Sequence, residues 1–585
     1  MDDRLGGLSP PRQPADAGPR RSSNSTRERA LVAGSTLLLL LPFVGKPLHI
    51  DDPLFVWTAR RILQAPLDFY GFEINWYDRV EPMAEVMKNP PLVAYWHAGV
   101  VWLAGFREVA LHLGALPWAV AAALGAYALG RRLSGRPLLA TLSGVVTPAF
   151  LVTATSLGSD IPMLALWLWA IALWVDGLDR RSHARLAAAG ALCAAAALAK
   201  YFAVGLLPLL VVYSVARERR VSPRLLWLLL PLLPLGGYEL ATRAAYGHGL
   251  LLDAMSYSRE VRSAIEARGD GLLGRLLVGL AFVGGATATP LLLGPWLWSR
   301  KAVLSGLAAA VVLAALSLVV GRLTGLALRG PNGVAWDAVL HVALLGLGGI
   351  ALLALAVRDL ALRRDADALL LALAVAGTLA FALVFNWTVN ERSLLPLAPL
   401  GGLLGARALE LPGRRLLTPR RAGLGAALAV ATFLALAVAW ADWGLARAFQ
   451  AAAERLASRH QAESGRRWCL GHWGFQYYLE AQGVRAVDLR TSRLEPGDVL
   501  FVPENSSGSN QVPQQAVTPL ELLEVPPSYG LSVQSVRTLA AFHAAVRGPL
   551  PFRFGPVPPE RFAAVRIERP LIGTSGALAP TPPGR

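Results

Sequence analysis

Long apolar segments recur along the chain and are separated by short polar connections. Three of them contain no Asp, Glu, Lys, Arg or His: 276–298, 302–320 and 423–441. Each is close to the ~20 residues that an α-helix needs to cross a bilayer. Because a soluble core rarely contains several such runs, the pattern predicts a polytopic membrane protein.

The hydrophobic pattern predicts about thirteen transmembrane helices, with one long connection, 49–109, after the first. Two segments of that connection, DDPLFVWTARRIL and KNPPLVAYWHAGVVW, are typical of amphipathic helices lying on the membrane surface. The predicted spans are 30–48, 110–130, 137–158, 161–176, 184–199, 201–216, 224–242, 273–297, 302–320, 335–357, 367–385, 394–410 and 423–441.

The two ends of the chain differ from this apolar region. Residues 1–29 are rich in Pro, Gly, Ser and Arg, which predicts a disordered cytoplasmic tail. After residue 441, RRWCLGHWGFQYYLEAQGVRAVDL predicts strand, helix and strand, and PGDVLFVP predicts a turn and another strand. The predicted fold class is therefore an all-α polytopic membrane protein over 30–441 with a small C-terminal extracytoplasmic α/β domain within 442–585. The final GALAPTPPGR is predicted to be disordered.

Charge decides the orientation. The net charge is +17 although only 16% of residues are charged, and arginine clusters alternate with sparser connections. The positive-inside rule assigns those clusters to the cytoplasm, which places the N-terminus inside and the C-terminus outside a plasma (cell inner) membrane. No basic stretch is interleaved with aromatic residues, so nucleic-acid binding is not predicted. Two cysteines are too few for a disulfide framework or a cysteine-based metal site.

This topology gathers ionisable residues on the outer face. Ionisable groups near membrane helix ends are a functional hint, although a solvated loop charge or a snorkelling side chain is the alternative for each, Lys46 included. A carboxylate on this face can remove the proton from an attacking hydroxyl, and basic groups can stabilise a departing phosphate. Two adjacent carboxylates, Asp51 and Asp52, could instead bind a divalent metal. The outer-face residues are Asp51, Asp52, Lys88, Asp160, Lys200, Glu391 and Arg392.

Five segments together resemble the GT-C glycosyltransferases, in particular the bacterial branch related to dolichyl-phosphate-mannose protein mannosyltransferases and aminoarabinose transferases. The segments are DDPLFVWTARRI, KNPPLVAYW, GSDIPMLALW, LAKYFAVGLLP and NERSLLPLAPLG, within about residues 30–410. The resemblance implies an inverting transfer of a sugar from a polyprenyl-phosphate carrier, at the outer face, to a hydroxyl of a glycan, lipid or protein. The resemblance also implies that membrane lipids surround the site.

The same resemblance implies a role for each matching position. Asp51 matches the catalytic aspartate of the first loop, and Asp52 stands where many members have Glu, so both Asp51 and Asp52 are candidates for the catalytic base. Lys88, Lys200 and Arg392 match positions that bind the donor phosphate. The substrate-binding positions are Asp160, Glu391 and Tyr95.

Two other functions remain open at this point. A polytopic transporter or flippase would show paired repeats and ionisable groups near the midplane, and neither is evident in the sequence. A surface-glycan ligase would share a lipid-linked donor. In the C-terminal domain, His472 and Trp473 fit either a packed aromatic helix start or a glycan-stacking site.

Overall fold

The computed structural model describes residues 23–266, 271–324, 326–330, 333–506, 512–527, 530–574 and 577–580. Of the predicted N-terminal tail, residues 1–22 lie outside the described residues, and residues 23–29 form the first turns of a helix. At the other end, residues 581–585 lie outside the described residues. Ala577–Pro580, predicted to be disordered, instead forms a strand paired with Leu571–Thr574. That correction arises because the partner strand lies next to it in the chain.

Helices form most of the described chain between the two ends. They are α1 Ser23–Leu40, α2 Asp52–Gln64, α3 Met83–Val86, α4 Leu92–Ala104, α5 Glu108–Leu133, α6 Pro137–Val145, α7 Pro148–Ala154, α8 Asp160–Asp179, α9 His183–Ala199, α10 Leu206–Glu218, α11 Leu232–Tyr246, α12 Leu250–Glu266, α13 Leu272–Thr287, α14 Thr289–Leu292, α15 Gly294–Leu297, α16 Arg300–Val320, α17 Trp336–Arg363, α18 Ala366–Ala380, α19 Leu397–Glu410, α20 Arg421–Arg459 and α21 Trp473–Glu480.

Strands are short and concentrate after residue 460. They are β1 Glu73–Asn75, β2 Val80–Pro82, β3 Arg322–Leu323, β4 Leu326–Ala327, β5 Arg329–Gly330, β6 Gly333–Val334, β7 Arg467–Cys469, β8 Arg485–Ala486, β9 Arg493–Leu494, β10 Val499–Pro503, β11 Val517–Val525, β12 Leu531–Ser532, β13 Gln534–Ser535, β14 Ala540–Ala541, β15 Arg553–Phe554, β16 Glu560–Ile567, β17 Leu571–Thr574 and β18 Ala577–Pro580.

The predicted fold class is confirmed in its main features, a multi-pass helical membrane protein with a strand-rich C-terminal region. All thirteen predicted spans fall largely on helices. Within the described residues, eight helices are long and apolar enough to cross a membrane, or nine if α6 and α7 form one bent span. The count of thirteen therefore stays a prediction. The bend of 64° between α6 and α7 falls at Pro148, which lacks the N–H that a continuous helix would use.

Two spans approach each other through glycines. A Cβ atom added to Gly284 of α13 would lie 1.7 Å from the carbonyl oxygen of Leu345 in α17. A Cβ atom added to Gly349 of α17 would lie 2.3 Å from the carbonyl oxygen of Leu280 in α13. Backbones this close exclude any side chain, as is usual where membrane helices pack through small residues. This contact sets α13 directly beside α17.

The connection between α1 and α5, residues 44–107, is here called the first loop. It contains both predicted amphipathic helices, as α2 and α4, and the antiparallel hairpin β1–β2. Bonds from the hairpin join it to the C-terminal region. Asn75 donates its side-chain amide to Val487 O at 2.8 Å, and Asp78 accepts the Gly471 N–H at 2.8 Å. The first loop is thus tied to residues some 400 positions later.

The region after α20, residues 460–580, is here called the C-terminal domain. Its main sheet has the order β11-β16-β10-β7-β8. The predicted strand–helix–strand is present as β7, α21 and β8, with β7 parallel to β8 and β10. The predicted start of this domain at 442 falls inside α20, which is continuous to Arg459. The helix continues because residues 444–459 alternate Ala, Leu and Phe with charged residues at helical spacing. The predicted span ends at 441 because only the residues up to that position are uniformly apolar.

Candidate functional site

A cavity of about 1250 Å³ lies where the first loop, the ends of several spans and the C-terminal domain meet. One end is polar and is lined by Asp51, Lys88, Asp160, Lys200 and Arg392. The other end is apolar and runs between α10, α11 and α18, where the lining residues are Phe202, Leu209, Leu232, Leu235, Gly236 and Phe381. Five of the eight candidate residues are thereby brought together in one cavity.

Asp51 and Arg392 form an ion pair at the polar end. Arg392 Nη1 donates to Asp51 Oδ2 at 2.7 Å, and the Asp51 side chain is 34% exposed. The residue before it, Ile50, has φ of +48°. A β-branched residue in the left-handed region is strained, and such strain concentrates at functional sites because the surrounding structure enforces it. The backbone at Asp51 is therefore held in one direction, toward Arg392 and the cavity.

Asp160 and Lys200 form a second ion pair across two neighbouring helices. Asp160 is the first residue of α8 and Lys200 follows the last residue of α9, so the antiparallel packing of these helices brings the two side chains together. Lys200 Nζ donates to Asp160 Oδ1. The Asp160 carboxylate is nearly inaccessible, whereas Lys200 remains 21% exposed. Lys200 therefore presents its charge to the cavity while Asp160 orients it from behind.

Lys88 reaches the cavity from the first loop. Its Nζ atom lies 2.5 Å from Asp253 Oδ2 of α12 and 5.2 Å from the centre of the Tyr257 ring. Helix α12 lies between the predicted spans 224–242 and 273–297. Because α12 supplies both of these contacts, it closes the side of the cavity at Lys88.

Asp52 does not line the cavity, although it follows Asp51 directly. Its side chain is buried, and its two oxygens accept the N–H groups of His49 at 3.1 Å and of Leu157 at 2.8 Å. Burial raises the pKa of Asp52 from 3.8 to about 6. The helical start at this position turns consecutive side chains by about 100°, so the two aspartates face different surroundings. Asp52 is a structural tie between the first loop and the start of α8.

We predict that Asp52→Leu lowers stability and does so more strongly at pH 4 than at pH 7. The substitution leaves two buried N–H groups without acceptors, at about 1–3 kcal/mol each. Since the folded-state pKa is raised, the folded protein binds the Asp52 proton more tightly than the unfolded chain, and this stabilisation is lost as the pH rises from about 4 to about 6. Urea unfolding of both proteins at each pH measures the difference. A penalty that grows with pH would contradict this account.

Glu391 and Tyr95 also lie outside the cavity lining. Glu391 is fully buried beside Gly285, and both of its carboxylate oxygens are without a hydrogen-bond partner among the described residues. Burial raises the pKa of Glu391 well above the ordinary 4.5. Its backbone N–H donates to Phe542 O at 3.1 Å, and its side chain lies against Gly285 of α13 instead of lining the cavity. The Tyr95 hydroxyl donates to Pro66 O within the first loop.

The two adjacent aspartates do not converge on a common point. Asp51 faces Arg392 and Asp52 faces two backbone N–H groups, so the geometry does not favour a metal held by both. Among the described residues, two other groups bring potential metal ligands together: His49 with Asp442 and His543, and Glu85 with His248 and Asp253. In each group the aspartate already pairs with a lysine at 2.5 Å, Lys46 or Lys88. Those ammonium groups compete with a cation for the same carboxylates.

Lys46 is one of the residues whose role the sequence did not indicate. It is 1% exposed, and its Nζ atom donates to Asp442 Oδ2 at 2.5 Å and to Thr155 Oγ1 at 3.1 Å. The other oxygen of Asp442 accepts from His543 Nε2 at 2.8 Å. This buried chain of three residues joins the end of the first span, α20 and the C-terminal domain. Snorkelling, the alternative considered for Lys46, is excluded by its burial.

The C-terminal domain contributes a whole wall of the cavity, which sequence patterns did not indicate. His472 and Trp473 come from the start of α21, Gln534 comes from β13, and the remaining residues come from the segment between β14 and β15. Only the HWGFQYYLE motif gave a signal for the first two. The lining residues of this wall are His472, Trp473, Gln534, His543, Ala544, Val546 and Arg547.

The fold and the cavity define a multi-pass membrane protein with a charged site at the ends of its helices and an apolar extension between them. Residues 88–235 match the family model described as dolichyl-phosphate-mannose-protein mannosyltransferase. That segment is about a quarter of the chain and contains Lys88, Asp160 and Lys200. The predicted resemblance to the GT-C glycosyltransferases is thereby confirmed for this part. No curated protein matches the chain in sequence.

Several solved membrane glycosyltransferases are similar in structure at low identity. The oligosaccharyltransferase of Archaeoglobus fulgidus, tethered with an acceptor peptide, is 15% identical with a TM-score of 0.45, over 80% of this chain and 64% of that one. ArnT from Cupriavidus metallidurans, bound to undecaprenyl phosphate, is 14% identical with a TM-score of 0.40, over 83% and 94%. The arabinofuranosyltransferase AftD from Mycobacteria is 14% identical with a TM-score of 0.36, over 93% and 40%. The chain thus spans less than two thirds of the archaeal enzyme.

Proposed function

We propose that this protein is a glycosyltransferase that moves a sugar from a polyprenyl-phosphate carrier to a hydroxyl of a glycan, lipid or protein acceptor. The observation that carries the proposal is the two-part cavity. Its polar end includes Lys88, Lys200 and Arg392 beside two carboxylates, and its apolar end runs between three helices. A lipid-linked phosphate has the same two parts, an anionic head and a long apolar chain. The family match over 88–235 supports this class of donor.

The three cations suit the donor phosphate. Lys200 faces the cavity from the end of α9, Lys88 from the first loop and Arg392 from the segment before α19. Negative charge builds on the phosphate as its bond to the sugar breaks, and groups fixed beforehand by their partners stabilise that charge without reorganising. Asp160 contributes by orienting Lys200 rather than by touching the donor.

Asp51 suits the role of general base. Its carboxylate removes the proton from the acceptor hydroxyl while the hydroxyl oxygen forms a bond to the anomeric carbon. The bond from that carbon to the phosphate oxygen breaks, and the polyprenyl phosphate leaves with the electron pair. Attack from the side opposite the phosphate inverts the anomeric configuration. Arg392 pairs with Asp51 at 2.7 Å, so one of the three proposed phosphate-binding cations also contacts the proposed base.

The donor assignment predicts a binding defect in Lys88→Met. Loss of a hydrogen bond to a charged group costs about 1.5–3 kcal/mol, so we expect the donor KM to rise about tenfold or more. Purified protein would be assayed for sugar transfer from a synthetic polyprenyl-phosphate sugar. Lys301→Met is the matched control, because Lys301 is exposed on α16 and does not line the cavity. An absence of transfer by the wild type, or an unchanged KM in Lys88→Met, would argue against the proposed donor.

We also propose that the cavity opens on the extracytoplasmic side of the plasma membrane. Asp160 begins α8 and Arg180 follows its end, so the 20 residues of this helix, about 30 Å in length, separate the site from an arginine cluster. In α9, Arg185 lies in the first turn and Lys200 follows the last residue, so the same separation holds. The positive-inside rule assigns the arginine ends of both helices to the cytoplasm.

Cysteine accessibility tests this orientation. Tyr77, which is 51% exposed beside the cavity, and Arg414, exposed after α19, would each be replaced by cysteine in a background without Cys193 and Cys469. We expect an impermeant maleimide added to intact cells to label position 77. Position 414 should be labelled only after the cells are permeabilised. The reverse pattern would overturn the proposed topology.

A further inference from the structure

Arg547 reaches the cavity from the C-terminal domain and is held in place by two contacts. Its guanidinium carbon lies 4.9 Å from the centre of the Trp473 ring. Its Nη1 atom donates to the carbonyl oxygen of Asn505. Asn505 is itself buried and donates its side-chain amide to Gln534 O at 2.8 Å. Arg547 therefore has a fixed position at the wall of the cavity.

The charge of Arg547 has no carboxylate partner among the described residues, including those that surround it. The other basic residues discussed above differ, because Lys88, Lys200 and Arg392 each pair with an aspartate. Burial lowers the pKa of the Arg547 guanidinium. A partly buried charge without a counter-charge is costly, and proteins retain one where a ligand supplies the opposite charge.

The Trp473 ring that contacts Arg547 is itself buried and packed. Trp473 is 5% exposed and packs against Phe449, with ring centres 5.8 Å apart. Its φ is +67°, a left-handed conformation that a bulky residue adopts only when its surroundings enforce it. The strain is compatible with a site that must keep one guanidinium orientation, because a planar fork recognises an oxyanion only in the right plane.

The residues beside Arg547 add hydrogen-bonding groups without adding charge. The His472 ring lies 5.1 Å from the Trp473 ring and 5.6 Å from the Tyr77 ring. Burial and Arg547 lower the pKa of His472 to about 3, so this imidazole is neutral. The Tyr77 hydroxyl belongs to a half-exposed side chain on the same cavity. Together they form a polar surface around one uncompensated positive charge.

We propose that Arg547 binds an oxyanion, a carboxylate or phosphate, that is separate from the donor phosphate and belongs to the acceptor. The assignment of this oxyanion to the acceptor rests on the proposed function, whereas the anion site itself rests on the contacts described above. The proposed site for the donor phosphate already has Lys88, Lys200 and Arg392 at the polar end of the cavity. Arg547 instead belongs to the C-terminal domain, with His472 and Tyr77 available to the hydroxyls of a sugar. The enzyme would then select an anionic acceptor.

The test uses inorganic phosphate and undecaprenyl phosphate as separate probes on the full chain in nanodiscs. With undecaprenyl phosphate saturating, we expect inorganic phosphate to bind the wild type at a further site and Arg547→Gln to weaken that binding at least tenfold. The affinity for undecaprenyl phosphate should change less than twofold. Arg561→Gln is the matched control, because Arg561 forms an exposed ion pair with Glu524 at 2.8 Å.

A second measurement needs no variant. Phenylglyoxal modifies arginine side chains, and peptide mass spectrometry would follow its reaction with Arg547 in the wild type. We expect inorganic phosphate to protect Arg547 and undecaprenyl phosphate alone to leave it reactive. Protection by undecaprenyl phosphate alone would assign the anion to the donor and overturn the proposal, as would an unchanged rate with phosphate. Because neither probe requires sugar transfer, a failure of the proposed function remains distinguishable from a failure of this site.

Discussion

Replacing Asp51 by asparagine is expected to abolish sugar transfer while the protein still folds and binds its donor. Asparagine keeps the size of the side chain but cannot accept a proton, and loss of general-base catalysis typically lowers turnover by about 10²–10⁴-fold. The structural cost is small, because the Asp51–Arg392 pair is partly exposed. The measurement is kcat and KM for a synthetic polyprenyl-phosphate sugar. The defect should appear in kcat.

Two other substitutions serve as controls for Asp51→Asn. Asp68→Asn changes another aspartate of the first loop, which pairs with Arg61 on the exposed side and does not line the cavity, and it should keep near wild-type turnover. Asp52→Leu should unfold more readily, since its role is structural. Near wild-type turnover in Asp51→Asn would remove the catalytic assignment, even if the donor still binds.

Replacing Asp442 by asparagine is expected to destabilise the protein by about 3–5 kcal/mol. The change leaves the Lys46 ammonium buried without its counter-charge, and breaking one side of a buried ion pair costs this much. It also weakens the bond to His543, which fastens the C-terminal domain to the helices. Urea unfolding in detergent, followed by limited proteolysis of the C-terminal domain, would measure both effects. Transfer should fall as well, since His543 and Arg547 belong to the cavity wall.

The controls for Asp442 separate burial from charge. Glu524→Gln removes one partner of the exposed pair with Arg561, and its cost should stay below about 1 kcal/mol. The double variant Lys46→Met with Asp442→Leu removes both charges and should recover most of the lost stability, because no charge is left buried alone. A double variant as unstable as Asp442→Asn would show that the network contributes by other means than charge compensation.

Several features follow from the sequence by itself. The spans could be predicted because crossing a bilayer depends on the length and apolarity of one continuous segment, and every predicted span is largely helical. The strand–helix–strand at 467–486 follows for a similar reason, since its pattern is local. The resemblance over five segments selected Asp51, Lys88, Asp160, Lys200 and Arg392, which the tertiary structure brings to one cavity.

Other features were decided only by the tertiary structure. Asp51 and Asp52 are adjacent and chemically alike, yet the turn into α2 sends one to the cavity and the other to the backbone N–H groups of His49 and Leu157. Glu391 and Arg392 diverge in the same way. A sequence pattern assigns residues to a segment, and which direction each side chain takes depends on the elements that pack around it.

Contacts between residues that are distant in the sequence could not be predicted from any local pattern. Lys46 and Asp442 are 396 positions apart, and each alone is compatible with a loop or snorkelling charge. Arg547 belongs to no recognisable sequence motif. The anion site proposed for it rests on its contact with Trp473 and on the absence of a carboxylate among its described neighbours. The sequence by itself determined a multi-pass membrane protein and five of the charged residues that line its cavity, because hydrophobicity and short motifs can be recognised along the chain. The tertiary structure decided which of the two adjacent aspartates faces the cavity and which residues of the C-terminal domain line its wall, because both depend on contacts between distant segments.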